Sequence, residues 1–327
     1  MQHEDQEDVY APLDRLLNDE STPLAQRFRA LFTLKSLGGE RAIDIIAKGF
    51  EGKSALLGHE LAYCLGQLGD VRALATLTHV LRDEHEHVMV RHEAAEAMGA
   101  IGHPDALDVL REYLNHDEAA IRETCEIAVD KIVFDNSEQG KLQAKNQYPC
   151  IDPAPAAASH SPLVEAAHSA ALASSSSSSS IPELEAVLLN DKLSLFERYR
   201  AMFALRNDGS REAVLSLARG FQDKSALFRH EIAFVFGQLS SPDSVPALIQ
   251  VLTRSDEEDM VRHEAAEALG GIATDECLPV LKEFSQRSDV PSVVRESCEV
   301  ALDMYEYERS NEFVPLPSAA PTAAVEA

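Results

Sequence analysis

Along most of the chain, apolar side chains return every three or four residues for a few turns and then stop at Gly, Pro, Ser or Asp. That is the period of amphipathic helices joined by short turns. From Val9, LDRLLND is short and amphipathic. Ser21-Thr22-Pro23 then reads as an N-cap with proline near the first turn, and LAQRFRALFTLKSLGG runs to a glycine stop. Three more pairs follow: ERAIDIIAKGF with SALLGHELAYCLGQLG, DVRALATLTHVLRD with HVMVRHEAAEAMGAIG, and HPDALDVLREYLN with EAAIRETCEIAVDKIVF. Each pair is one helical hairpin, a unit length that signals a stacked array. The pattern disappears over 135–180, where Pro149, Pro153, Pro155, many alanines and an unbroken run from Ser174 to Ser180 predict a disordered linker. Four more hairpins follow from Ile181. The predicted fold is all-α: an α-α superhelix of two four-hairpin arrays, 9–134 and 181–309, facing each other, with about sixteen helices and with tails at 1–8 and 310–327.

Composition sharpens this only slightly. Aromatics are 6% of the chain and Trp is absent, so the core is expected to be Ala, Leu, Val and Ile, which suits packed helices better than a sheet sandwich. The formal net charge of −26 argues against a nucleic-acid partner, since a phosphate backbone calls for a basic surface. A cationic partner is the natural alternative, although solubility of a long surface also accounts for the charge. Five cysteines, Cys64, Cys125, Cys150, Cys277 and Cys298, show no CxxC spacing and fit a reducing compartment. The N-terminus lacks the basic and apolar regions of a signal peptide, and no apolar stretch is long enough to span a bilayer. The expected setting is the cytoplasm, with the nucleus as a second compartment, and no membrane.

One dipeptide breaks the repeat. His59-Glu60, His92-Glu93, His230-Glu231 and His263-Glu264 open the motifs HELAYCLGQLG, HEAAEAMGAIG, HEIAFVFGQL and HEAAEALGGI. The spacing is 33 residues within each half and 171 between halves. At the equivalent place, the first and fourth hairpins carry Phe28-Arg29, Arg122-Glu123, Tyr199-Arg200 and Arg295-Glu296. From Ile181 onward His230 and His263 are the only histidines. A residue that serves packing alone would recur in every unit, so the four histidines need a local cause. Glu96 and Glu267, four residues after His92 and His263, share their helix face but have counterparts Glu126 and Glu299 in the fourth units. They are therefore read as residues of the repeat itself. By the same comparison Glu93 and Glu264 are less distinctive than the histidines.

Neighbouring helices pack about 8–10 Å apart, so His59 with His92, and His230 with His263, can meet and bind a metal together with carboxylates. Nitrogen and oxygen ligands without thiolate suit iron or manganese, and two imidazoles with one carboxylate is the set used by non-haem iron oxygenases. Two equivalent halves imply two metals, close enough to share dioxygen if the halves face each other. The pattern is neither HExxH nor the Glu-x-x-His of ferritin-like bundles, and it has no phosphate loop or GxSxG elbow. A non-catalytic scaffold or lyase-like binding module for a basic partner is the rival, and a zinc or manganese hydrolase is a third reading.

Each array resembles HEAT repeats of the bilin-lyase-like subtype. The two arrays together, with GHELAYCLGQLG, RHEAAEAMGAIG, RHEIAFVFGQL and RHEAAEALGGI at their centres, resemble the deoxyhypusine hydroxylases over nearly the whole chain apart from the linker and tails. The resemblance implies a di-iron monooxygenase that uses dioxygen as co-substrate to hydroxylate the deoxyhypusine side chain of eukaryotic translation initiation factor 5A, with an unidentified electron donor. It implies one Fe2+ held by His59, His92 and Glu93 and a second held by His230, His263 and Glu264. Glu60 and Glu231 would hold the ammonium groups of the substrate.

Overall fold

Serine caps start several of the helices, and the hairpins stack by burying their apolar faces. The computed structural model describes residues 8–142, 146–157 and 180–310. The first array is α1 (Tyr10–Asn18), α2 (Leu24–Leu37), α3 (Gly39–Lys48), α4 (Ala55–Leu68), α5 (Leu74–Arg82), α6 (Val88–Ile101), α7 (Leu107–Glu112) and α8 (Ala119–Asp135). A one-turn α9 (Glu138–Lys141) follows. The second array is α10 (Ile181–Leu188), α11 (Leu195–Asp208), α12 (Arg211–Arg219), α13 (Ala226–Leu239), α14 (Val245–Thr253), α15 (Asp259–Ile272), α16 (Cys277–Gln286) and α17 (Ser292–Arg309). There are no strands among the described residues, and no helix there is long and apolar enough to cross a membrane.

Equivalent caps recur in the two halves. Ser54 Oγ accepts from the Leu57 N–H at the start of α4, and Ser225 Oγ accepts from the Phe228 N–H at the start of α13. Gly69 and Gly102 end α4 and α6 in the left-handed region, at φ 63° and 71°. The equivalent exits from α13 and α15 use Ser240 and Ala273 at φ 48° and 53°, a conformation that side chains with a Cβ adopt at some cost. A second device joins the two helices of a hairpin. The guanidinium Nε of Arg27, Arg91, Arg198 and Arg262 donates to the backbone oxygen of Leu17, Leu81, Leu188 and Leu252 respectively. In these four hairpins, the first and third of each array, a buried arginine of the second helix thus satisfies a terminal carbonyl of the first.

The second helices, α2, α4, α6 and α8, then α11, α13, α15 and α17, pack side by side as an inner layer, and the first helices lie outside. At both ends the arrays meet reciprocally: α8 packs on α11 and α13, and α17 packs on α2 and α4. The inner layer therefore closes into a ring. This facing arrangement is the one the repeat pattern predicts, and it brings α4 and α6 opposite α13 and α15.

The expectation of a structureless linker over 135–180 needs correction at 146–157. This segment is extended yet pinned to both arrays. Gln67 and Ile151 exchange two hydrogen bonds, side chain to backbone, of 3.0 and 2.7 Å. Arg206, fully buried, donates to both oxygens of Asp152 at 2.8 and 2.7 Å and lies over the Tyr148 ring. Ala157 N–H donates to the Arg200 carbonyl, and Ala154 is fully buried. The prolines that exclude a helix here also stiffen an extended strap, and buried polar partners supply what an apolar face does not. Residues 143–145 and 158–179 of the linker expected at 135–180, and residues 1–7 and 311–327 of the tails expected at 1–8 and 310–327, lie outside the described residues.

Candidate metal centre

The four histidines sit one turn into the inner helices α4, α6, α13 and α15, where the ring of helices turns their side chains to a common centre. Ring centroids of His59 lie 5.5 Å from His92, 5.7 Å from His230 and 4.9 Å from His263; His230 lies 5.4 Å from His92 and 5.3 Å from His263. All four are at most 4% exposed. Close approach of the backbones makes this possible: a Cβ on Gly66 of α4 would stand 2.7 Å from Ala97 Cα of α6.

Glutamates alternate with the rings. His59 Nδ1 is 3.1 Å from Glu60 Oε1 and its Nε2 is 3.3 Å from Glu93 Oε2. Glu264 Oε2 is 3.6 Å from His230 Nε2 and 3.9 Å from His263 Nε2. Donor atoms of His59, His92 and Glu93 all lie within 4.8 Å of one another, and so do those of His59, His230 and His263. The first of these triads is one of the two that the resemblance implies. The second half offers the same residue types, with Glu264 between its two histidines.

Both ring nitrogens of His92, His230 and His263 are buried without a hydrogen-bond partner. Buried polar atoms are almost always paired, so six orphaned imidazole nitrogens in one place form a donor set suited to cations. Their electrostatics agree. Burial and neighbouring histidines hold His92, His230 and His263 well below the ordinary imidazole range, leaving lone pairs free for coordination. Burial would also depress His59, but Glu93 and Glu60 overcome it and hold His59 well above that range. Burial raises Glu231 well above the carboxylate range and Glu264 to about 8. This donor chemistry fits hard or borderline divalent metals bound by imidazole and carboxylate.

A cavity of about 450 Å³ opens from this cluster. Glu60 and Glu231 line it beside His59 and His230; Glu231 is 1% exposed and its Oε1 has no hydrogen-bond partner. The rings of Tyr63 and Phe234, equivalent positions in the two halves, meet edge to face at 6.0 Å in its wall. Tyr148, Pro149, Cys150, Ile151 and Pro153 of the strap form another wall.

The cavity sets Glu96 and Glu267 apart from their counterparts in the repeat. Both line it, whereas their repeat counterparts Glu126 and Glu299 are exposed. Position in the repeat is shared, but only the central hairpins face the closed interior. Glu93 and Glu264 differ from Glu123 and Glu296 for the same reason, since the latter pair serves contacts between the halves.

A family model described as HEAT repeats matches residues 53–130 and 211–303. The deoxyhypusine hydroxylase of Drosophila melanogaster is 50% identical over 298 residues, covering 91% of this chain and 92% of that protein. The chain belongs to the deoxyhypusine hydroxylase family. The deoxyhypusine hydroxylase of Mus musculus is 48% identical, covering 92% of this chain and 93% of that protein. The structure of human deoxyhypusine hydroxylase in complex with glycerol superposes with a TM-score of 0.82 at 46% identity, covering 91% of this chain and 96% of that one. The similarity to the deoxyhypusine hydroxylases thus covers about nine-tenths of the chain.

Proposed function

We propose that the chain hydroxylates the deoxyhypusine side chain of eukaryotic translation initiation factor 5A with dioxygen, at a centre holding two Fe2+. In this reading His59, His92 and Glu93 hold one iron and His230, His263 and Glu264 the other. The irons, when bound, supply the activation of dioxygen. The observation that carries the reading is the set of six orphaned imidazole nitrogens beside carboxylates in a cavity shared by both halves. A scaffold that merely grips a basic partner leaves those nitrogens unexplained.

The chain's own residues bind and orient. Glu60 and Glu231 each follow a histidine, about 100° round the helix, so one residue can face the metal and the next the substrate. Their carboxylates line the cavity, where charge-assisted hydrogen bonds to ammonium groups are strong. Held at two points, the carbon chain between them is presented to the centre in one geometry. The Tyr63 and Phe234 rings and the strap exclude water from it. Inserting one oxygen atom and reducing the other to water takes two electrons and two protons, and the electrons come from a donor outside this chain. The five free cysteines fit a reducing compartment, cytoplasmic or nuclear.

The deciding experiment is metal analysis of protein reconstituted anaerobically with ferrous ion. Two irons per chain are expected, fewer in His92→Ala and His263→Ala, and an undiminished two in Glu60→Ala and Glu231→Ala, which instead bind the modified factor more weakly. Failure of the native protein to retain iron would overturn the proposal.

A further inference from the structure

Six carboxylates line the central cavity: Glu60, Glu93 and Glu96 from the first half, and Glu231, Glu264 and Glu267 from the second. They do not share one surface cluster. They surround a closed space in which Glu231 Oε1 and Glu267 Oε1 find no hydrogen-bond partner, and Glu231 is 1% exposed. No lysine or arginine forms an ion pair with any of the six among the described residues. Lys35, the one lysine or arginine in the wall among the described residues, is partly buried and lies over the rings of Phe32 and Tyr63 at 5.3 Å from each.

Buried carboxylates need compensating positive charge. Two ferrous ions bring four charges, which already balance the two ligand glutamates together with Glu60 and Glu231. With those four alone the iron-loaded cavity would carry no net charge, and a cationic side chain would be held only by its direct hydrogen bonds to Glu60 and Glu231. Glu96 and Glu267 add two negative charges. A side chain with two ammonium groups, such as deoxyhypusine, restores neutrality; an unmodified lysine pairs with one carboxylate and leaves the other to be neutralised by a proton.

We infer that Glu96 and Glu267 set the specificity of the cavity for a doubly cationic side chain, by supplying the two charges that the metals leave uncompensated. The inference rests on the iron assignment proposed above. Their repeat counterparts Glu126 and Glu299, outside the cavity, are exposed to water and carry no such role. Glu267 Oε1 also stands 3.6 Å from His263 Nδ1, so its carboxylate touches the metal side of the cavity as well as the substrate side.

The test uses iron-loaded full-length protein under anaerobic conditions, titrated calorimetrically with translation factor carrying deoxyhypusine and with the same factor carrying unmodified lysine. Native protein is expected to prefer the modified factor strongly. Glu96→Gln and Glu267→Gln, close to isosteric, are each expected to keep two irons and lose roughly ten- to a hundredfold in affinity for the modified factor, with a smaller loss for the unmodified one. Glu96→Asp, which keeps the charge, is expected to recover most of the preference. A Gln variant that keeps the native preference overturns the inference, and so does one that loses iron, since the residue is then a ligand. Native protein that holds two irons yet binds both factors equally overturns it too, whereas native protein without iron overturns the reading on which it rests. A measurement free of any variant uses small probes: 1,4-diaminobutane should displace the modified factor from native protein at concentrations where butylamine does not. Equal competition by the two amines would sink the charge argument.

Discussion

The Ser54 hydroxyl donates a 2.7 Å hydrogen bond to Glu296 Oε2, tying the N-cap of α4 in the first array to α17 at the end of the second. Ser225 Oγ makes the mirror contact, 2.6 Å to Glu123 Oε2, from the cap of α13 to α8. Each serine caps its own helix and latches the opposite half, on the helices that carry His59 and His230. Loss of a cap costs about 1 kcal/mol, and a lost bond to a charged group roughly 1.5–3 kcal/mol. Ser54→Ala is therefore expected to destabilise by about 2 kcal/mol. A double-mutant cycle with Glu296→Ala in urea should give a coupling of at least about 0.5 kcal/mol. Additive effects would mean that the latch contributes nothing beyond the cap.

Equivalent glycines should respond oppositely to the same substitution. A Cβ on Gly66 would meet Ala97 Cα at 2.7 Å and Cβ at 2.8 Å, backbone that cannot give way without separating α4 from α6. At Gly237, 171 residues on, the nearest atoms of Ala268 stand at 3.5 Å, an ordinary contact. Gly66→Ala is expected to cost roughly 1–3 kcal/mol, the usual range for overpacking, and to lower iron retention by displacing His59 from Glu93. Gly237→Ala is expected to be neutral or to stabilise by up to about 1 kcal/mol, because alanine is the better helix former. Thermal midpoints and iron content of the two variants decide it.

Residues at equal register show what the amino-acid pattern can and cannot convey. Hairpin number, the facing arrays and the convergence of four histidines were legible, because each depends on period and register, and the histidines stood out against the repeat. The tasks of glutamates at equal register were not. Glu93, Glu123, Glu264 and Glu296 occupy matching places, yet closure of the ring puts two beside histidines and two at opposite seams. Glu96 and Glu267 share their register with Glu126 and Glu299, and only surroundings set by the other array, far away in sequence, put them in the cavity wall. The strap at 146–157 leaves no mark in the hydrophobic pattern because its order comes from buried polar partners, Arg206 above all, rather than from any apolar period.

Arg206 and Asp152 are the partners that hold the strap, with side chains 0% and 7% exposed. Removing one member of a buried pair leaves the other charge uncompensated, at a cost of roughly 3–5 kcal/mol. Asp152→Ala is expected to lose stability in that range and to weaken substrate binding, since Tyr148 to Pro153 wall the cavity. Glu112→Ala removes the half-exposed pair with Arg82 and should cost under about 1 kcal/mol. Similar denaturation midpoints for the two variants would show that the strap is not held by this pair.

Protein stripped of metal should lose stability as the solution becomes alkaline. Burial raises Glu264 from 4.5 to about 8, so between those values the folded state keeps a proton that the unfolded chain has released. Where the folded state binds more protons, stability falls with rising pH, by at most about 1.4 kcal/mol per pH unit for one proton. Glu96, Glu231 and Glu267, also raised by burial, act in the same direction. His59, held well above 6.5, adds to the loss as pH climbs past the unfolded value. His92, His230 and His263, held well below 6.5, oppose this only on the acid side, where the unfolded chain takes up protons that the folded one excludes. The thermal midpoint of metal-free protein is thus expected to be lower at pH 8.0 than at pH 6.5, a window fixed by the 4.5-to-8 shift of Glu264 and the 6.5 reference of the histidines. Ferrous ion should reverse the trend, because cations then occupy the site in place of protons and bind more tightly as the ligands deprotonate. A midpoint that is flat across this window in metal-free protein would show that the buried carboxylates are already compensated without metal.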